Sequence, residues 1–284
     1  MCSQLLRAFP CIAFFICSMK HRLLLLAFVC MLHQISIAQF IFPESFIMMP
    51  LDTAKKYAGT ISGAFSQQTQ EYVVTQLNSR IELAKRIQTV NIFTIAGNFQ
   101  IVRNGPETVL SGGYIFGRYR DRTNRKLHPE YMLQYQWLEA RGLEQKIAST
   151  ANMRYRFVRT ENLSLAAAFG ILMEYEKWNF SAVREKDLPA ETNDIEVYNP
   201  RFNSYISYDH DLGDRLNIDM AVYYQFRLDD KLSRKRIGLL SRLNIKLTDK
   251  LNYAVTIRLM DDRQPIVPVD PLWYNFSNEL VLAF

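Results

Sequence analysis

The chain has 284 residues, with 34 Lys or Arg against 28 Asp or Glu and a net charge of +6. That length fits one large domain or two small ones, and so mild a basic excess, with acids interspersed, argues against a nucleic-acid surface. All four cysteines and three of the basic residues (Arg7, Lys20, Arg22) precede residue 39, so the remainder carries +3 and holds no disulfide framework, thiol nucleophile or thiolate metal site.

The front of the chain reads as a secretory signal. Met19-Lys20-His21-Arg22 precedes the apolar run Leu23 to Leu32, and small residues stand at Ser36 and Ala38, the pattern of a leader cleaved after Ala38. Met19 is the expected start, with residues 1–18 upstream of it. An anchor helix would need roughly 20 apolar residues, about twice what this run supplies. Cys30 follows Val29, which is too large for a lipoprotein signal. Residues 39–55 are then a periplasmic N-terminal segment, and residues 56–284 the folded domain.

From Tyr57 onward the signal is alternation with period two, the mark of a two-faced strand. In chain order the runs fall at 57–66, 71–83, 90–102, 108–119, 130–139, 146–158, 163–176, 201–209, 215–228, 235–247, 251–261 and 273–284. The clearest sets Leu216, Ile218, Met220, Val222, Tyr224, Phe226 and Leu228 against Arg215, Asn217, Asp219, Tyr223, Gln225 and Arg227. In the fourth run Leu110, Tyr114 and Phe116 compete with Val109, Ile115 and Tyr119, leaving its faces open.

These runs are long for a soluble sandwich or lipocalin-like barrel. A strand of about 12 residues at ~3.3 Å each, tilted near 40°, covers roughly 30 Å, enough for the ~25 Å apolar band of an outer-membrane barrel. The fold class expected is all-β: a transmembrane antiparallel up-and-down barrel of about twelve strands. Its even-numbered connections should be short periplasmic turns. Lys177 to Pro200 and Asp262 to Leu272 are then outer loops, and Arg120 to Pro129 is a long exception on the short side. The terminal Phe284 fits the assembly signal read by the barrel insertion machinery, although Glu279 stands where that signal usually carries glycine. Outward Tyr131, Trp137, Tyr175 and Tyr224 are expected at the lipid interfaces.

Several segments together carry a family likeness: Ser111-Gly112-Gly113-Tyr114, Tyr135-Gln136-Trp137, Arg141-Gly142-Leu143, Met153-Arg154-Tyr155-Arg156, Tyr208 to Leu216, Tyr223-Tyr224-Gln225 and Asp262-Arg263-Gln264-Pro265. In these the chain resembles the salt-induced outer-membrane proteins, an uncharacterised barrel family. The likeness implies an outer-membrane location and no established substrate.

Chemistry is sparse. His128 and His210 are the only histidines beyond residue 38, and no serine is placed after either as in the outer-membrane phospholipase. Asp209-His210-Asp211 has the composition of an acid–histidine protease dyad but falls in an expected periplasmic turn. No enzyme activity, cofactor or metal is expected. The inward-facing charges expected to line the lumen are Arg227, Arg236, Arg242, Arg258, Glu174, Glu176 and Glu279. They allow two readings: a narrow pore for ions or small solutes, or a lumen filled by an internal salt-bridge network. The expected partners are outer-membrane lipids and the insertion machinery. A binding role for the loop 177–200 and a surface hydrolase are further alternatives.

Overall fold

The computed structural model describes residues 56–69, 73–87, 91–121, 126–228 and 234–284. The expected leader and the segment 39–55 lie outside them. The described residues form twelve strands: β1 (Tyr57–Thr69), β2 (Val73–Ile87), β3 (Asn91–Asn104), β4 (Glu107–Asp121), β5 (Leu127–Leu138), β6 (Leu143–Arg159), β7 (Leu163–Trp178), β8 (Ile195–Leu212), β9 (Leu216–Arg227), β10 (Lys235–Lys246), β11 (Leu251–Asp262) and β12 (Leu272–Ala283). Each pairs antiparallel with its sequence neighbours, and β1 pairs with β12, closing the sheet into a barrel. No described helix is long and apolar enough to cross a membrane.

Period-two alternation decides which side chains face out. Ile81, Ile95, Ile115, Leu133, Ile147, Ile171, Ile206, Val222 and Ile237, on nine different strands, are all exposed, each at 44–59%. Alternate residues on the same strands are buried, among them Glu82, Phe116, Gln134, Leu172 and Tyr205. A closed wall with an apolar outside and a polar inside is a protein whose solvent is lipid. Aromatic residues mark both rims of that apolar face. Tyr119 and Tyr131, 6.4 Å apart, sit near the end with the short turns. Tyr135 and Trp137 (5.9 Å) and Tyr175 and Tyr198 (4.9 Å) sit near the end with the long loops. Rings at headgroup depth are the usual girdles of such barrels. The face of β4 is settled here: Phe116 and Arg118 are buried, while Val109 and Ile115 point out.

Many strand ends differ from the sequence reading by a few residues, and those of β4, β5 and β8 change the connections. Strands β4 and β5 run on to Asp121 and from Leu127, so the exceptional connection shrinks to 122–126. The inward residues there are Arg118, Arg120, His128 and Glu130, so no apolar alternation announces the strand. The outer loop is 179–194 rather than 177–200, because β8 begins at Ile195. Pro200 is tolerated inside it because the β8–β9 ladder ends at Arg201; the Pro200 carbonyl accepts the Leu228 N–H at 2.9 Å, and its missing N–H faces that same unladdered side. At its other end β8 continues to Leu212, so His210 lies in a strand, opposite Leu163 and Ile218. The turn itself is 213–215, with Gly213 at φ +75°.

The ladders are long except at the closure. Strands β1 and β2 share thirteen register pairs from Tyr57–Lys85 to Thr69–Val73, whereas β1 and β12 share four, from Thr60–Ala283 to Gly63–Leu280. Gly59 and Phe284 add two reciprocal 3.0 Å backbone bonds beside them. The Phe284 ring lies over Gly59 so closely that a Cβ there would meet it at 2.6 Å. The last residue of the chain thus seals the barrel at the short-turn end.

Candidate functional site

The barrel interior is layered. Nearest the long loops, Glu174 and Glu176 on β7 share three cations with Asp262 on β11. Arg236 reaches all three acids: Nη1 to Glu174 Oε1 at 3.0 Å, Nη2 to Glu176 Oε1 at 3.4 Å and Nε to Asp262 Oδ2 at 2.6 Å. Arg201 Nε donates to Glu174 Oε2 at 2.6 Å, and Lys146 Nζ lies 2.8 Å from Glu174 Oε1 and also bonds Glu176. Three carboxylates face three cations from β6, β8 and β10. All six side chains are at least nine-tenths buried, where charge is tolerated only when paired and hydrogen-bonded.

Above this layer the loops close the end of the barrel. Leu143, Trp178, Val183 and Val267 form a buried apolar cluster with Phe180, Ile195, Ile266 and Val269 packed against it. Trp178 ties the cluster to the charges below, its Nε1 donating to Glu176 Oε2 at 3.3 Å. Arg141, in the β5–β6 connection, is buried beneath the loops; burial draws its pKa down to about 10 against the pull of Asp262 and Asp270. Between cap and charges remains a cavity of about 10 Å³, lined by Gln136, Arg141, Lys146, Glu176, Arg236 and Asp262 among others, room for one water.

The middle of the barrel is apolar. Phe116, Met132, Tyr205, Tyr223, Leu240 and Met260 pack as one buried cluster with Ala96, Ala168 and Ala221, joined by Tyr114 and Trp273. Strands β4 and β10 stand opposite one another in the ring of twelve, yet Phe116 and Leu240 are each only 1% exposed. Inward side chains along an open water channel would be wet; these are dry. Toward the short turns lies a second polar group. Arg120 Nε donates to Glu130 Oε2 at 2.6 Å, the Tyr205 hydroxyl bonds the other oxygen, and Arg154 Nη2 donates to Ser207 at 3.2 Å.

Of the seven residues singled out from sequence, Glu174, Glu176 and Arg236 meet in the layer beneath the loops. Arg242 and Glu279 meet elsewhere, 3.4 Å apart near the β1–β12 closure, where Glu279 also accepts from Ser62. Arg258 donates to Asn275 at 2.9 Å on that same side. Arg227 is half-buried at the end of β9, in register with Arg201. Sequence reasoning missed Lys146, Arg201 and Asp262, which complete the charged layer, and the Glu130 group. Their common signal was available: each lies an even number of residues from an inward polar residue of its own strand.

His210 makes no dyad with its neighbours. Strand alternation turns it away from Asp209 and Asp211, which both accept from Asn217 Nδ2 at 2.9 Å, while His210 Nδ1 bonds the Tyr208 hydroxyl at 2.7 Å. Among the described residues no three His, Cys, Asp or Glu side chains gather as metal ligands would.

No family model and no curated protein matches the chain. Among solved structures, the NanC porin aligns over 79% of this chain and 98% of its own at 12% identity, with a TM-score of 0.45. The translocator domain of the autotransporter NalP from Neisseria meningitidis aligns over 80% and 86% at 8% identity (TM-score 0.42). The KdgM porin aligns over 80% and 96% at 9% identity (TM-score 0.35).

Proposed function

We propose that the chain is an outer-membrane β-barrel of a Gram-negative-type bacterium, delivered by its signal sequence and seated by the insertion machinery through Phe284. Its lumen is held shut by its own side chains, so the resting barrel passes no solute along its axis. The observation that carries this reading is the dry mid-barrel cluster around Phe116, Tyr223 and Leu240. Neutralised charge above it, and the loop cap beyond that, add to the seal. Membership of the salt-induced outer-membrane protein family rests on the strand and turn motifs alone.

Planar-bilayer recording of the purified, folded protein tests the proposal. Silent membranes are expected; discrete conductance steps from the unaltered barrel would overturn it. The narrow-pore reading draws on the charged layers at both depths. It requires steps whose ion selectivity shifts when Arg236→Glu or Arg258→Glu reverses a lumen charge.

A further inference from the structure

Arg141 is a buried charge held without a counter-ion. The β5–β6 connection is a short 3-10 turn, Glu139–Arg141, closed by Gly142 in the left-handed conformation. It leaves Arg141 beneath the outer loops with 3% of its surface exposed. Its Nη2 donates to the Asp270 backbone carbonyl at 3.3 Å. Its Nε and Nη1 are buried and meet no acceptor on the protein, and among the described residues the guanidinium forms no ion pair.

Nearby acids do not balance it. Asp262 Oδ2 accepts from Arg236 at 2.6 Å and Oδ1 from the Gln264 N–H at 3.4 Å, while the Asp270 side chain is exposed, where water and salt screen it. The layer of Lys146, Arg201 and Arg236 with Glu174, Glu176 and Asp262 is already neutral. The other inward charges near the loop end of β5 to β11, Arg227 and Arg258, are both positive. Positive charge stays in excess even with Asp270 counted.

The cavity of about 10 Å³ beside Arg141 is lined also by Gln136, Lys146, Glu176, Arg236 and Asp262. The acids on that wall are spent: Glu176 accepts from Lys146 and Arg236 on one oxygen and from Trp178 Nε1 on the other, and both oxygens of Asp262 accept as above. Gln136 Oε1 accepts from Gln134 at 3.2 Å, which leaves its NH2. The groups with capacity left are therefore donors, the Gln136 amide and Arg141 Nε and Nη1.

We infer that this cavity is a binding site for one chloride-sized monatomic anion, held by Arg141 Nε–H and Nη1–H and by the Gln136 amide. Such an ion only accepts hydrogen bonds, which matches the wall, and it pairs a guanidinium whose burial is otherwise costly. Water would have to donate as well, and a phosphate or a carboxylate exceeds room for one water. The ion joins the turn Glu139–Arg141 to Pro265 and Ile266, which line the cavity from the outer loop. The site needs only the folded barrel, so it stands or falls apart from the membrane placement and from silence along the axis.

Trp178 lines the cavity and can read its occupant, because bromide quenches tryptophan on contact. The folded barrel carrying Trp137→Phe and Trp273→Phe is titrated with sodium bromide against gluconate at constant ionic strength. Quenching should saturate, and chloride should relieve it where acetate does not. Arg141→Met should raise the half-saturating bromide concentration by about tenfold or more, the order expected for losing hydrogen bonds to a charged group. Arg263→Met, at an exposed arginine of the outer loop, should leave it unchanged. Crystals of the unaltered protein grown in bromide need no variant, and an anomalous peak between Arg141 and Gln136 is expected. Quenching that rises linearly and ignores chloride overturns the site, as does saturation unchanged by Arg141→Met in a folded barrel. Bromide peaks confined to the protein surface overturn it too.

Discussion

Glu174 shows how one side chain can organise a barrel interior. It accepts from Lys146, Arg201 and Arg236, drawn from three strands on either side of it, so its removal strands three buried cations at once. Breaking one partner of a buried pair costs about 3–5 kcal/mol, most of it the penalty of uncompensated charge. Glu174→Ala should lower the unfolding free energy by at least that order in urea titrations of barrel in vesicles. Glu196→Ala, on the exposed start of β8, should leave it unchanged. Gly142 governs the cap in a different way. It holds φ +74°, and a Cβ would stand 2.3 Å from the Asn179 carbonyl, just where Asn179 N–H donates to Gly142 O at 2.7 Å. Left-handed backbone alone costs a non-glycine residue ~1–2 kcal/mol. Gly142→Ala should therefore free the loop 179–194, seen as faster protease cleavage there with the strands still protected.

At the scale of the strand, one rule sets both stability and legibility. Outward positions meet lipid and inward ones meet charge, so Leu133→Arg should cost about 2–4 kcal/mol at mid-depth; Gln134→Arg, one residue on, escapes that lipid penalty and meets only the packed interior. Unfolding of the two variants in vesicles, compared side by side, reads the difference. The same rule explains what the sequence made plain. Strands β9 to β11 carry uniform apolar residues outside and mixed polar residues inside, so their period and faces are readable by eye. In β4 the inward set contains Tyr114 and Phe116, which imitate a lipid face. At the junction of β4 and β5 the inward set is Arg118, Arg120, His128 and Glu130, which imitates a loop. The start of β8 was hidden by Pro200, a breaker in isolation that is harmless at the end of a ladder. Which inward charges meet depends on stagger between strands. Arg236 finding Glu174 across an intervening pair of strands was therefore beyond sequence reading, even though the inward parity of both was not.

For the molecule as a whole, the layers decide how it divides the two sides of the membrane. A loop cap, a neutralised charged layer, an apolar plug and a second polar group follow one another along the axis. Polar layers can hydrate, but the plug is mostly apolar and the Tyr205 hydroxyl in it is already bonded to Glu130, so it is the part that sets the resistance of the lumen. Phe116 and Tyr223 project into the plug from β4 and β9 and are 1% and 3% exposed. Truncating both removes their rings without touching the Glu174 layer or the β1–β12 closure. Phe116→Ala with Tyr223→Ala should therefore turn a silent barrel into a conducting one in planar bilayers. Its steps should also depend on the sign of the ions, because current would then pass Arg236 and Arg118. Truncating the cap alone, with Trp178→Ala, should leave the membrane silent, since the plug beneath is intact. Conductance from the cap variant and none from the plug variant would move the seal from the middle of the barrel to its loops.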